Sequence, residues 1–366
     1  VTFDIVIVGG GIVGAACARA FARQGMRIAL VEPNEIGGEA TAAAMGHVVV
    51  LDDSPEQLGL SRYSQLLWRQ LAAELPYEAE YTQRGTLWVA ADAEEFDAIR
   101  RKYRVYASQD IPSEVLDAQS LAQAEPALRP GLAGGFLVPQ DVVVSPQVAA
   151  QFFLQQAGSL FRARHGAVAM GAGKVVLNNS DELHAPVLIN AAGEWASQLT
   201  PGLSIAKRKG HLAITAPYPG FLRYQVVELG YLKSVQTAVK ETVACNVQPR
   251  RDGRLLIGSS RQYGAEGREV EEHILTRIYQ RAAEYLPSLP SLKIERTWIG
   301  FRSVTPDKLP LIGPTADPTV FLATGHEGLG ITTSLATAQL LADFITGKTP
   351  AIPIEPYFPG RSALHA

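Results

Sequence analysis

Apolar and polar positions alternate along the chain in blocks of two different periods. Ile5-Val-Ile-Val8 is a short apolar run, followed by clustered glycines, a small-residue helix pattern and a second apolar run, Ile28 to Val31. This predicts strand, tight turn, helix and strand. Gln57 to Leu75 carries Leu60, Tyr63, Leu66, Leu67 and Leu71 at helical spacing and stops before Pro76, so a helix is expected. Thr86 to Ala90 reads as a strand, Asp92 to Tyr106 as a surface helix of mixed charge, and Pro126 to Gly135 as a loop leading to extended segments Phe136–Val138 and Val142–Val144. Helical spacing resumes from Gln147 to Gly158. Val187 to Gly193 looks like a buried strand ending in a glycine turn, suited to the same parallel sheet as the first strand. His211–Thr215, Thr242–Val247 and Leu255–Gly258 alternate as antiparallel strands do, and Val270–Leu286 is a helix, so a second region is inserted into the first. Val320–Ala323 then opens into the turn Gly325–Gly330 and the helix Ile331–Thr346. The proline-rich tail Pro350–Pro359 is expected to run over the surface.

Composition narrows the functional classes. With 366 residues, 47% of them hydrophobic and 19% charged, the chain can bury a substantial core. A formal charge of −3 leaves no cationic excess to displace counterions, which argues against a nucleic-acid surface. Lys207-Arg208-Lys209 is read as a solvated edge rather than a polyanion site. The 2 cysteines, Cys17 and Cys245, cannot build a disulfide framework or a four-ligand iron–sulfur cluster, and no metal site is expected. No basic segment, apolar stretch and cleavage site precede the first strand, and the longest apolar candidate for a span, Gly328 to Gly347, contains Thr, Ser, Gln and Asp. A cytoplasmic protein without a transmembrane segment is the expectation.

The glycines of the first turn carry the first chemical signal. Gly9 permits a sharp exit from the strand, Gly11 lets backbone approach a pyrophosphate, and Gly14 allows the helix to pack on the sheet. Ile12 and Val13 open that helix, whose N-terminal amides and partial positive charge suit phosphates. Glu32, at the end of the second strand, can accept hydrogen bonds from a ribose diol and would repel a 2′-phosphate. A second segment, Gly37 to His47, holds small residues and one hydroxyl, Thr41, just beyond that acid. A nicotinamide dehydrogenase has no need of it. Together with the late Gly325–Gly330 turn it points to FAD, whose ring would be reached by both ends of the chain.

On these segments, together with Leu188-Ile-Asn-Ala-Ala-Gly-Glu-Trp195, Gly300 to Gly313 and Ala323 to Gly330, the sequence resembles the D-amino acid oxidase and glycine oxidase superfamily of FAD-dependent amine oxidoreductases. Gln248 to Ser260 with the Gly-His-Glu-Gly-Leu-Gly stretch looks most like the flavoprotein subunits of hydroxyproline and proline dehydrogenases. The resemblance implies an α/β fold of glycine oxidase type: a discontinuous Rossmann-type FAD-binding domain (1–82, 146–203 and 303–366) and an inserted antiparallel-sheet substrate domain (83–145 and 204–302). It implies non-covalent FAD, since no cysteine follows Cys245, and contacts to it from Thr41, Ala42, Met45, Gly46, His47, the backbone of Val168, Ala192, Gly193, Gly325, Gly328, Leu329, Gly330 and Ile331.

The implied reaction is hydride transfer from the Cα of an amino acid to flavin N5. Arg302, at the family's position, would grip the substrate carboxylate with its planar fork and border the cofactor; its alternative is a structural arginine paired to Asp307. His47 would orient substrate or receive a proton, or is a buried, bonded histidine. The family usually has other residues between the late glycines, so His326 carries no inherited role; Glu327 either pairs with the substrate ammonium or caps the helix. Tyr224, Tyr231 and His211 stand near the region that roofs the ring in relatives. The leading expectation is a cyclic imino acid dehydrogenase, for hydroxyproline or proline, working with partner redox subunits. The alternatives are an oxidase making hydrogen peroxide from glycine, sarcosine or a D-amino acid, and a non-catalytic flavin-binding relay or scaffold subunit.

Overall fold

A computed structural model describes residues 3–230 and 241–361. The chain divides into two compact units, the first made of Val1–Tyr81, Val144–Lys207 and Phe301–Ala366, the second of Thr82–Val143 and Arg208–Gly300. The largest departure from the expected boundaries is at the third crossing, where Ser204 to Lys207 count with the first unit; at the fourth, Phe301 and Arg302 do. Phe301 to Val304 are the last residues of the strand Ile294–Val304.

In the first unit a six-stranded sheet has Ile5–Val8 at its centre. Ile28–Val31 and Val187–Asn190 flank it in parallel, Phe161–Ala163 extends one side, and Val320–Thr324 then antiparallel Leu311–Pro314 extend the other. The central strands are buried along their length, as their uninterrupted apolar runs require. The helices Ile12–Ala22, Pro55–Leu71 and Gly330–Ile345 pack together, so the beginning and end of the chain meet. Ser54 caps the second of these, its hydroxyl accepting from Gln57 N at 3.1 Å. A separate three-stranded sheet is made of Ala167–Gly171, Lys174–Leu177 and Glu182–His184.

The second unit is built on an eight-stranded sheet. It is not wholly antiparallel: Gln225–Glu228 runs parallel to Thr86–Ala90. One face packs the helix Glu272–Ala283, with Val226, Cys245, Val247, Leu255 and Ile257 against Ile274 and Ile278. The surface helix is Ala93–Ser108, capped by Asp92, whose carboxylate accepts from Glu95 N at 2.9 Å.

Lys207-Arg208-Lys209 corrects the expectation of a solvated edge. The three residues lie inside the ten-residue strand Ala206–Thr215, and Arg208 and Lys209 are each 1% exposed. Lys209 Nζ meets Glu271 Oε1 at 2.7 Å, and Arg208 Nη1 donates to Tyr263 Oη at 3.1 Å. A run of charge looks solvated in sequence because its partners lie 62 and 55 positions away.

Candidate functional site

The glycine turn of the first unit is fixed by its own backbone. A Cβ on Gly14 would lie 1.9 Å from Gly9 O, and one on Gly9, at φ +111°, would lie 2.3 Å from Ala191 O. No side chain fits at either place. The helix Ile12–Ala22 begins at Gly11, which has no side chain to cap it; instead Thr41 Oγ1, from the second small-residue segment, accepts from Ile12 N at 3.1 Å. Thr41 is thus brought to the phosphate-binding end of the helix, with Gly11 next to it: a Cβ there would come within 3.3 Å of the same hydroxyl. Val13 is half-buried and Ala42 exposed beside this turn.

Glu32 is oriented before any ligand arrives. Its Oε2 accepts from Gly10 N at 2.7 Å and its Oε1 from Asn34 N at 2.9 Å. Each oxygen keeps a further lone pair for a diol. On the other side of the central strand, buried Asn190 donates from Nδ2 to Ala196 O and Thr200 Oγ1, both at 2.9 Å, and accepts from Ala192 N at 3.2 Å. These bonds hold the Ala192–Gly193 turn, and Gly193, at φ +55°, faces open space where a Cβ would point. Val168 is 58% exposed, and the ladder between its strand and Lys174–Leu177 shifts register at that residue.

The helix that follows the late glycine turn joins the end of the second segment. Thr332 Oγ1 donates to His47 O at 2.9 Å and accepts from Val49 N at 3.3 Å. Gly46, at φ +84°, lies so close to Val144 O that a Cβ would sit 2.0 Å from it, and Met45 is buried beside it. The Gly330–Ile345 helix starts after Leu329 with no side-chain cap, leaving its first amides for a ligand. Ile331 is buried, and its carbonyl accepts from Trp68 Nε1 at 3.2 Å. A Cβ on Gly325 would meet the Thr305 methyl at 2.8 Å; on Gly328 the nearest atom would be Arg302 Nε, at 3.8 Å. Arg302 therefore stands over the helix start.

Asp307, the possible structural partner of Arg302, is engaged by Arg361 in a two-point pair, Nε to Oδ2 at 2.6 Å and Nη2 to Oδ1 at 2.8 Å. Burial pushes the Asp307 carboxyl up, but the hydrogen bond and charge of Arg361 outweigh it and hold it below its ordinary value. Glu327 takes a left-handed conformation, φ +55°, donates its N–H to Ser303 O at 2.9 Å, and accepts from Gly328 N through its own carboxylate. It sits one residue along the backbone from the glycine under Arg302.

His326 is 6% exposed, with Nε2 3.0 Å from Thr337 Oγ1 on the helix, and burial pulls its pKa down to about 3. It is a neutral internal group. His211, in the second unit, is likewise enclosed: Nδ1 is 3.2 Å from Ser260 Oγ, Nε2 accepts from Glu271 N at 3.1 Å, and burial, then the Lys209 charge, lower its pKa to about 4. Tyr224 packs on the second unit's apolar core, with its N–H on Glu125 at 3.2 Å. Tyr231 lies outside the described residues.

Sequence reasoning passed over Asn190 and Thr332, which hold the two ends of this arrangement. A lone polar residue inside an apolar strand was the available signal for Asn190. It placed Lys207 on a solvated edge, whereas the Nζ is 3.0 Å from the buried Glu194 Oε2 and within 6.0 Å of the Trp195 and Phe301 rings.

The arrangement fits FAD: a glycine cradle, two helix starts whose own N-cap residues make no side-chain cap, an acid held for a diol, and a turn from each end of the chain. Bound FAD would supply a two-electron acceptor. Cys17 and Cys245 are both fully buried, in keeping with a cofactor held without a cysteinyl bond.

Residues 4–344 match the model of a family described as FAD dependent oxidoreductase. Among individual relatives, a glycine oxidase of Geobacillus kaustophilus is 28% identical over 97% of this chain and 96% of its own. The crystal structure of glycine oxidase from that organism superposes with a TM-score of 0.88 at 26% identity, covering 98% of this chain and 99% of that one. The hydrogen cyanide synthase subunit HcnC of Pseudomonas aeruginosa is 28% identical over 98% of this chain and 96% of its own. The L-proline dehydrogenase of P. horikoshii shares the fold at a TM-score of 0.86 and 22% identity, covering 98% of this chain and 97% of that one. With a family match spanning nearly its whole length, the chain belongs to the FAD-dependent oxidoreductase family, the superfamily of D-amino acid and glycine oxidases, and FAD is its cofactor.

Proposed function

We propose that the protein oxidises a small amino acid at Cα as a glycine-oxidase-type enzyme: the amine becomes an imine, water releases the oxo acid and ammonia, and oxygen takes the electrons as hydrogen peroxide. The observation that carries this reading is Arg302 standing over Gly328 at the start of the Gly330–Ile345 helix. A guanidinium so placed grips a carboxylate in two-point fashion and fixes the adjacent Cα–H. The helix's first amides and dipole stabilise negative charge that develops nearby during the transfer. Glu327, in its strained conformation, shapes the turn beneath the arginine, His326 anchors the turn to the helix from inside, and His47 borders the cofactor through its backbone.

Glycine-oxidase relatives at 28% identity support this substrate class over proline or hydroxyproline, because the proline dehydrogenase likeness, at 22% identity, bears on the fold alone. Anaerobic addition of glycine, sarcosine, D-alanine and proline to the yellow protein tests the reading. Bleaching by glycine or sarcosine, with peroxide on readmission of air, is the expected result; bleaching by none of the four would overturn it.

A second reading, a dehydrogenase subunit that passes electrons to a partner protein, is favoured by one observation: a relative of 28% identity is itself a synthase subunit. It requires bleaching without peroxide and co-elution with another redox subunit on gel filtration of co-expressed neighbours.

A further inference from the structure

At one end of the strands Glu241–Pro249 and Leu255–Tyr263, within the second unit, lie groups that neither the proposed reaction nor the apolar core uses. Among the described residues, Glu241, Glu271 and His273 form the one group of three histidine, cysteine or carboxylate side chains whose ligand atoms all lie within 4.8 Å of one another. Glu241 opens its strand, Glu271 stands just before the helix Glu272–Ala283, and His273 is in that helix's first turn. Gln262 pairs with Glu241 across the ladder. Its Nε2 donates to Glu241 Oε2 at 3.3 Å and to Glu271 Oε2 at 3.1 Å. His273 Nε2 lies 3.6 Å and 3.9 Å from the same two oxygens. Those two distances are too long for a hydrogen bond.

They are the right length for a shared ion. Ligand atoms about 2.1 Å from a tetrahedral zinc ion lie about 3.4 Å from one another. The separations of His273 Nε2 and Gln262 Nε2 from the two carboxylate oxygens, 3.1 to 3.9 Å, straddle that value. The other oxygen of each carboxylate is taken: Lys209 Nζ donates to Glu271 Oε1 at 2.7 Å, and Arg277 Nη1 to Glu241 Oε1. These two bonds turn both Oε2 atoms toward one point, as outer partners do in metal sites. Gln262 is 5% exposed, and its Oε1 is a buried acceptor without a partner. Buried acceptors are ordinarily satisfied. A half-turn of the amide about its last bond exchanges Oε1 with Nε2 and brings the idle acceptor to the two carboxylates, where only a cation can hold it. Either way round one amide atom is idle, so the exchange gives up two N–H bonds and nothing more.

We propose that His273 Nε2, Glu241 Oε2, Glu271 Oε2 and Gln262 Oε1 bind a divalent transition-metal ion of the zinc class, which clips the start of the helix Glu272–Ala283 to the ends of the two strands. The expectation of no metal site rested on the cysteine count; this set uses no cysteine. Imidazole with oxygen ligands suits Zn2+, whereas Mg2+ takes oxygen ligands in a demanding octahedron. Lys209 and Arg277 already offset the charge of the two carboxylates, so the affinity is micromolar, weaker than that of a structural zinc site. The His273 side chain is 62% exposed, which gives the ion a way in from solvent. The ion's role is structural: bound to the folded chain alone, it stabilises the fold by mass action. The inference is independent of the oxidase reading.

The test uses the FAD-loaded full chain after treatment with a chelator. Calorimetric titration with zinc chloride should show a single micromolar site per chain, and magnesium chloride no binding over the same concentrations. His273→Ala and Glu241→Gln should each weaken zinc binding at least about tenfold. His184→Ala, which removes the exposed histidine 3.3 Å from Glu182 Oε2 in the first unit, should leave it unchanged. Excess zinc should raise the Tm of the unaltered protein by about 2–4 °C and leave that of His273→Ala where it is. Zinc binding absent up to about 1 mM, or an affinity that survives His273→Ala, overturns the inference. Anomalous scattering at the zinc edge, on crystals of the unaltered protein, decides the matter even if a variant fails to fold. A peak bounded by His273, Glu241 and Glu271 supports the site, and a peak only elsewhere, or none, overturns it.

Discussion

Arg302 and His326 both adjoin glycines of the late turn, Arg302 over Gly328 in space and His326 next to Gly325 in sequence, yet their chemistry differs. In the proposed function Arg302 presents its guanidinium to the substrate carboxylate. Truncating such a partner costs about 2–5 kcal/mol of binding, so Arg302→Ala should raise KM for the amino acid steeply while the protein, assayed by its flavin absorbance, stays loaded with FAD. Loss of the flavin instead would make the arginine structural. His326 is held neutral inside the first unit, its pKa lowered by burial to about 3. The unfolded chain, near 6.5, binds this proton earlier, so the stabilisation is complete above that pH and is lost progressively as pH falls toward 3. Between pH 7 and 5 one such histidine accounts for about 2 kcal/mol. In urea denaturation His326→Gln should lose correspondingly less stability over that interval than the unaltered protein; identical losses would show that His326 does not titrate in this way.

At the scale of elements, what can be read from sequence depends on how far away the deciding partner lies. The strand, glycine turn and helix from Ile5 to Ala22 and the acid Glu32 were legible because each glycine answers to a contact within the turn or its neighbouring strand. Gly14→Ala would drive a Cβ to 1.9 Å of Gly9 O, and the expected outcome is a protein that fails to retain FAD on desalting. The strand Ala206–Thr215 was legible only from His211 onward. Its first half is charged, and what buries it, Glu271 and Tyr263, comes from distant sequence. Lys209→Met leaves Glu271 without its ammonium and should cost about 3 kcal/mol in thermal or urea unfolding, whereas Lys209→Met with Glu271→Met should recover most of it. If the single and double variants are equally destabilised, the pair is not what stabilises that end of the sheet. The parallel pairing of Gln225–Glu228 with Thr86–Ala90 was illegible for the same reason: the alternation of polar and apolar positions sets a face, not a direction.

On the scale of the whole molecule, three stretches of sequence build the first unit and two build the second. The glycine-rich turns were legible in sequence because they are local, whereas the bond that ties Thr332 to His47 was not, because 285 positions separate the two. The described residues contain no helix long and apolar enough to cross a membrane. The Gly330–Ile345 helix packs on Ile12–Ala22 and Pro55–Leu71 and ties down His47 through Thr332, so the first fifty residues depend on the last fifty. During synthesis, then, the nucleotide turn leaves the ribosome long before the helix that completes its surroundings. Vitamin-derived cofactor meets its complete surroundings only once the Gly330–Ile345 helix has been made and has packed on the elements before it.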